Sequence, residues 1–138
     1  MSKKILTLTF LSIALLGILH YAGSFFYFYW SIVWFDNVMH FLGGFSIALL
    51  FIWFWYFSGV FGSEVQNTFK FFATTIVFVL LVSIGWEIFE YVFDIANPTG
   101  GNYLVDTTQD LIADFFGTIL GVFVVFSIKK ATHSAAGP

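Results

Sequence analysis

The segment FFATTIVFVLLVSIGWEIFEYV, residues 71–92, decides the class of this protein. It is long enough to cross a bilayer, which takes about 20 mostly apolar residues, yet it carries Glu87 and Glu90 near one end. Three further stretches of similar character run over residues 5–21, 36–57 and 107–128. The expected fold is therefore all-α: a polytopic membrane protein whose four transmembrane helices form one compact bundle, a single domain over residues 1–138.

Composition agrees. Apolar residues make up 59% of the chain and charged residues 9%, whereas a soluble domain carries roughly 25% charged residues. A net charge of −3 without any basic run gives no reason to expect nucleic acid as a partner. With no cysteine, thiolate metal sites and disulfides are excluded. Residues 24–35, dense in Tyr, Trp and Phe, read as an aromatic interfacial belt or as an extension of the second helix. The first apolar run lacks a good small-residue cleavage site, so it is expected to stay as a helix.

The lysines set an expected orientation. Lys3 and Lys4 precede the first stretch, Lys70 precedes the third, and Lys129 and Lys130 follow the fourth. With four spans all five fall on one side, which the positive-inside rule assigns to the cytoplasm. Both termini are then cytoplasmic, in a multi-pass protein of the bacterial plasma (inner) membrane. Of the eight acids only Glu64 joins that side. Asp36, Glu87, Glu90, Asp94, Asp106, Asp110 and Asp114 gather at the opposite helix ends.

Depth and face bring part of this set together. At a rise of 1.5 Å per residue, His40, Glu87, Asp110 and Asp114 all lie roughly one or two turns inside the membrane. Residues three and four apart share a helix face, which aligns Asp36 with His40, Glu87 with Glu90, and Asp106 with Asp110 and Asp114. Toward the lysine side the same faces turn small, at Gly43-Gly44, Ser83 and Gly117-x-x-x-Gly121, so the helices are expected to close there. The expectation is a cup, open to the outside and sealed beneath.

Intramembrane charges are costly, about 2.5 to 3.5 kcal/mol each at a helix centre, and they usually pair or serve a pathway. In this topology no basic residue stands opposite the acids, so the balancing charge is expected from an external cation. Histidine with several carboxylates suits a divalent metal ion: Mg, Mn, Fe, Zn or Ca. The expected ligands are His40, Glu87, Asp110 and Asp114, with Glu90 or Asp36 as the proton acceptor. Structural roles compete at several positions. Asp106 with Gln109 makes a capping-box pattern, and Asp36 is a candidate N-cap. Asp94 reads as a solvated loop residue, His20 as an interfacial histidine, and His133 as part of a polar tail.

Three blocks carry a resemblance. Asp36-Asn-Val-Met-His40-Phe-Leu-Gly-Gly44, Trp86-Glu87-x-x-Glu90 and Asp106-Thr-Thr-Gln-Asp110-Leu-Ile-Ala-Asp114-Phe-Phe-Gly117 together resemble the VanZ-like superfamily of small bacterial membrane proteins. The likeness runs from about Trp34 to Gly121. VanZ-like proteins typically have a basic residue after the first Asp, where this chain has Asn37, which favours the YjdF-like branch. VanZ itself is associated with teicoplanin resistance, so the resemblance implies a role at the cell envelope.

The function these features predict first is a metal-dependent membrane enzyme, a hydrolase or phosphoesterase, acting at the outer face on a lipid or lipid-linked substrate. Membrane lipids are its expected surroundings, with a homo-oligomer or a larger membrane complex as a further partner. Ion or proton translocation and a non-catalytic accessory or assembly role are the competing expectations.

Overall fold

The computed structural model describes residues 1–61, 67–93, 95 and 102–134. The chain forms α1 (Ser2–Phe25), a short α2 (Phe28–Ser31), α3 (Phe35–Ile52) with a π-helical continuation over Trp53–Phe57, α4 (Thr68–Phe93) and α5 (Tyr103–Ser134). No strand occurs among the described residues. Four helices, α1, α3 with its continuation, α4 and α5, are long and apolar enough to cross a membrane. Their outward faces carry large apolar side chains such as Phe10, 73% exposed, and Phe69, 78% exposed. That surface suits lipid rather than water, and the spans place it in contact with lipid.

The helices run past the apolar stretches because backbone hydrogen bonding, unlike hydropathy, does not stop at the hydrocarbon boundary. Asn67 begins α4: its side-chain oxygen accepts from the Lys70 amide at 3.1 Å and its carbonyl accepts from the Phe71 amide. Asn102 begins α5 in the same manner, its Oδ1 accepting from the Leu104 amide at 3.1 Å. Both are favoured N-cap residues. The capping reading of Asp106 is thereby corrected, since Asp106 lies inside the first turn of α5. Asp36 is no N-cap either, because α3 starts one residue earlier at Phe35.

The aromatic segment between α1 and α3 is not an extension of α3. Tyr27 takes a left-handed backbone conformation, φ 60°, and Ile32 an extended one, so α2 is a separate turn. Phe25, Phe26, Tyr27, Trp30 and Trp34 are exposed around it, as an interfacial belt would be.

At the centre α3 and α5 meet backbone to backbone. A Cβ on Gly44 would fall on the Asp114 backbone, and one on Gly117 would fall on the Phe41 carbonyl. One turn on, a Cβ at Gly121 would stand 3.1 Å from the Ala48 Cβ. Small residues are what permit such an approach between membrane helices. The lysine-bearing end is filled by apolar side chains, with Ile5 of α1, Leu49 and Ile52 of α3, Phe71 of α4, and Val122 and Val125 of α5 all buried in one cluster. The bundle is sealed at that end. The acid-bearing end holds the polar cluster.

Candidate metal centre

His40 organises the acid-bearing end. It sits on α3 one turn below Asp36, where Gly44 against the Asp114 backbone and Gly117 against the Phe41 carbonyl bring α3 close to α5. Asp110 and Asp114, one turn apart on α5, therefore reach either side of its ring. Asp114 Oδ2 stands 3.2 Å from Nδ1, within hydrogen-bond range. Around Nε2, Asp36 Oδ1 lies at 4.0 Å, Glu87 Oε1 at 4.0 Å and Asp110 Oδ2 at 3.9 Å. Oxygens from three helices thus stand nearly equidistant from one nitrogen.

Those separations are too long for hydrogen bonds. Each is short enough for that oxygen and Nε2 to share an ion, because two atoms each about 2.0–2.2 Å from a metal lie at most ~4.4 Å apart. Two sets bring ligand atoms within 4.8 Å of one another, Asp36 with His40 and Asp110, and His40 with Glu87 and Glu90. The sets share the imidazole. His40, Glu87, Asp110 and Asp114 are buried, while Asp36 and Glu90 are half-buried toward the helix ends.

The charge balance is one-sided. Five carboxyl groups face one imidazole, and every ion pair among the described residues involves His40. Lys3 and Lys4 begin α1, Lys70 begins α4, and Lys129 and Lys130 lie near the end of α5, all at the opposite end of the bundle. Glu87 shows the deficit most directly. It is 5% exposed, and its Oε1 has no hydrogen-bond partner among the described residues. A buried, unpartnered carboxylate oxygen is strongly unfavourable unless something else meets it.

The predicted cluster of His40, Glu87, Asp110 and Asp114 does converge, and Asp36 and Glu90 join it. Asp106, half-buried, belongs to neither ligand set. His20 stands apart, its Nδ1 sharing a 2.8 Å hydrogen bond with the Tyr29 hydroxyl. Asp94 and the His133 side chain lie outside what the structure describes. Beneath the cluster, a small enclosed space of about 10 Å³ is bounded by Ser83, Asp114, Thr118 and apolar neighbours.

Sequence reasoning missed several neighbours of the site. Asn37 Nδ2 reaches Asp110 Oδ1 at 3.5 Å. Thr107, whose buried hydroxyl oxygen has no partner among the described residues, stands one turn before Asp110, so helical spacing alone could have found it. Tyr103 donates its hydroxyl to the Glu87 carbonyl at 2.7 Å, tying the start of α5 to α4; no spacing rule signals this. Tyr29 packs edge-on against Phe35 with centroids 4.9 Å apart. Burial, followed by the charges of Asp36 and Glu90, pushes its phenol up to about 12.

A family model described as "Predicted membrane protein (DUF2238)" matches residues 3–131. No curated protein and no solved structure matches the chain.

Proposed function

The chain belongs to the DUF2238 family of predicted membrane proteins, and from that premise we propose that it carries a divalent metal ion inside the bundle and uses it as a membrane enzyme on a lipid or lipid-linked substrate. The unpartnered Glu87 Oε1 carries the reading. It points at the same imidazole nitrogen as Asp36 and Asp110, at the same distance, with no cation of the chain beside it.

In this proposal His40 Nε2 anchors the ion, with Asp110 on one side of it and Glu87 on the other, in the two sets whose ligand atoms converge. Asp36 and Glu90, nearer the helix ends, complete the ligand shell or accept a proton. Asp114, expected from sequence as a direct ligand, is given a different part: it holds Nδ1, fixing the tautomer that leaves Nε2 free. A carboxylate behind a metal-binding histidine is a common device of this kind. When bound, the ion would polarise a phosphoryl or acyl oxygen and lower the pKa of a water. Mg, Mn, Fe, Zn and Ca all suit this oxygen-rich donor set with its single nitrogen. The lysine-bearing end and both termini are assigned to the cytoplasm of a bacterial inner membrane by the positive-inside rule, which turns the metal centre outward. The likeness to VanZ-like and YjdF-like proteins, and the envelope role it implies, belong to the same proposal.

Translocation of ions or protons needs a polar route to the far side. The apolar cluster around Ile5, Leu49 and Val122 fills that end and favours the enzyme. An accessory role would leave the unpartnered Glu87 without a purpose. Elemental analysis of purified protein supplied with divalent metals tests the reading: stoichiometric metal, lost in Glu87→Gln and Asp110→Asn, is expected. Wild-type protein that stays metal-free under those conditions overturns it.

A further inference from the structure

A groove of about 340 Å³ runs between α4 and α5, with Glu87 in its lining. Tyr91 and Tyr103 stand at its upper end with ring centroids 5.2 Å apart, and Ile84 and Leu111 mark its lower end. By the rise of a helix these ends are ~10–12 Å apart along the bundle axis, most of the roughly 15 Å depth of one leaflet's hydrocarbon. Both walls belong to membrane-spanning helices, so the groove opens sideways into lipid rather than into water.

Its chemistry is that of a mould for hydrocarbon. The exposed walls are almost wholly apolar, although Glu87 and Thr107 belong to the lining a turn below the tyrosines. Those two residues also carry buried oxygens with no hydrogen-bond partner among the described residues. About 340 Å³ spread over that length averages roughly 30 Å² in cross-section, far less than a helix of a second protein, about 10–12 Å across, would need. A single hydrocarbon chain is narrow enough, and it lies parallel to the groove in the leaflet that already surrounds it.

We infer that this groove seats one acyl chain of a membrane lipid. Glu87 stands between groove and cluster, lining the one and facing His40 in the other, so a chain seated there lies beside the cluster. The inference deepens the proposed function and rests on it for the chemistry, but the binding groove is tested separately.

The protein is reconstituted into phosphatidylcholine and phosphatidylglycerol vesicles containing a trace of phosphatidylcholine with a diazirine on one acyl chain, irradiated, and mapped by mass spectrometry. Crosslinks at Ile84, Ile88 and Leu111 are expected several-fold above those at Leu81 and Phe123, which are 65% exposed on other faces. Leu111→Trp, or Ile88→Trp from the opposite wall, fills the groove and removes that excess, whereas Leu81→Trp leaves it. Uniform labelling of all exposed faces means surrounding lipid only and overturns the inference. Metal content measured on the same samples keeps the two readings apart: bound metal with uniform labelling rejects the groove alone, and groove labelling without metal rejects the enzyme alone.

Discussion

Asp114 Oδ2 stands 3.2 Å from His40 Nδ1, closer than Asp36, Glu87 or Asp110 stands to the other ring nitrogen. The two nitrogens of one imidazole thus face different surroundings: a single hydrogen-bonding carboxylate on one side, a ring of unbonded carboxylates on the other.

That division separates Asp114 from the proposed ligands. Asp114→Ala should weaken metal binding by roughly 10–100-fold, the usual effect of losing the partner behind a ligand histidine. Asp114→Asn should recover most of the loss, since its amide oxygen still accepts from Nδ1–H. Asp110→Asn should show no such tolerance. Metal titration of the purified variants reads the difference; equal losses in Asp114→Asn and Asp110→Asn would return Asp114 to the ligand set.

Acid should strip the ion. Carboxylates and imidazole bind metal only when deprotonated, so binding releases protons and affinity falls as pH falls. Titration by isothermal calorimetry in buffers of different ionisation enthalpy should register that proton release. Binding that is independent of pH would contradict carboxylate and histidine ligation.

Tyr29 reports on the same charge from outside the spans. Its phenol is pushed up to about 12, first by burial and then by the negative charges of Asp36 and Glu90. A divalent cation among those carboxylates cancels the second contribution and leaves the first, so metal should lower the Tyr29 pKa toward its ordinary value. Ultraviolet titration with and without metal, with Tyr29→Phe to identify the band, checks the sign. A pKa that rises or stays fixed on metal loading would place the ion elsewhere.

The α3–α5 contact should tolerate no added methyl group. Gly44→Ala and Gly117→Ala drive a Cβ into facing backbone, and such overpacking costs about 1–3 kcal/mol. A Cβ at Gly85 or Gly17 would meet nothing within 4 Å, so alanine there should leave stability nearly unchanged. Thermal unfolding in detergent measures both pairs.

Orientation is accessible because the chain has no cysteine of its own. Single cysteines at Asn102, where α5 begins, and at Ser63, in the connection between α3 and α4, should react differently with a membrane-impermeant maleimide. Asn102→Cys should label from outside intact cells and Ser63→Cys only after permeabilisation. The reverse pattern would turn the acid cluster toward the cytoplasm.

The number of spans and their approximate limits could be read directly from the chain, because hydrocarbon imposes about 20 apolar residues per helix whatever the tertiary structure. Convergence of His40 with Glu87, Asp110 and Asp114 was also legible, since helical rise fixes depth and helical spacing fixes face. Capping was not. Asp106 and Asp36 looked like helix starts only because apolar runs were taken as helix limits, whereas Asn102 and Asn67 begin helices in polar sequence beyond the membrane edge.

Sequence by itself determined that this is a membrane protein with acids at one end and lysines at the other, because both follow from one-dimensional spacing along helices of known pitch. Only the tertiary structure decided which nitrogen of His40 meets which carboxylate, that Glu87 Oε1 is left without a partner, and that an apolar groove opens beside it. Those features depend on how closely α3, α4 and α5 approach and how they are rotated. The α3–α5 distance is set by the packing of Gly44 and Gly117 against facing backbone, and no spacing within a single helix contains such distances.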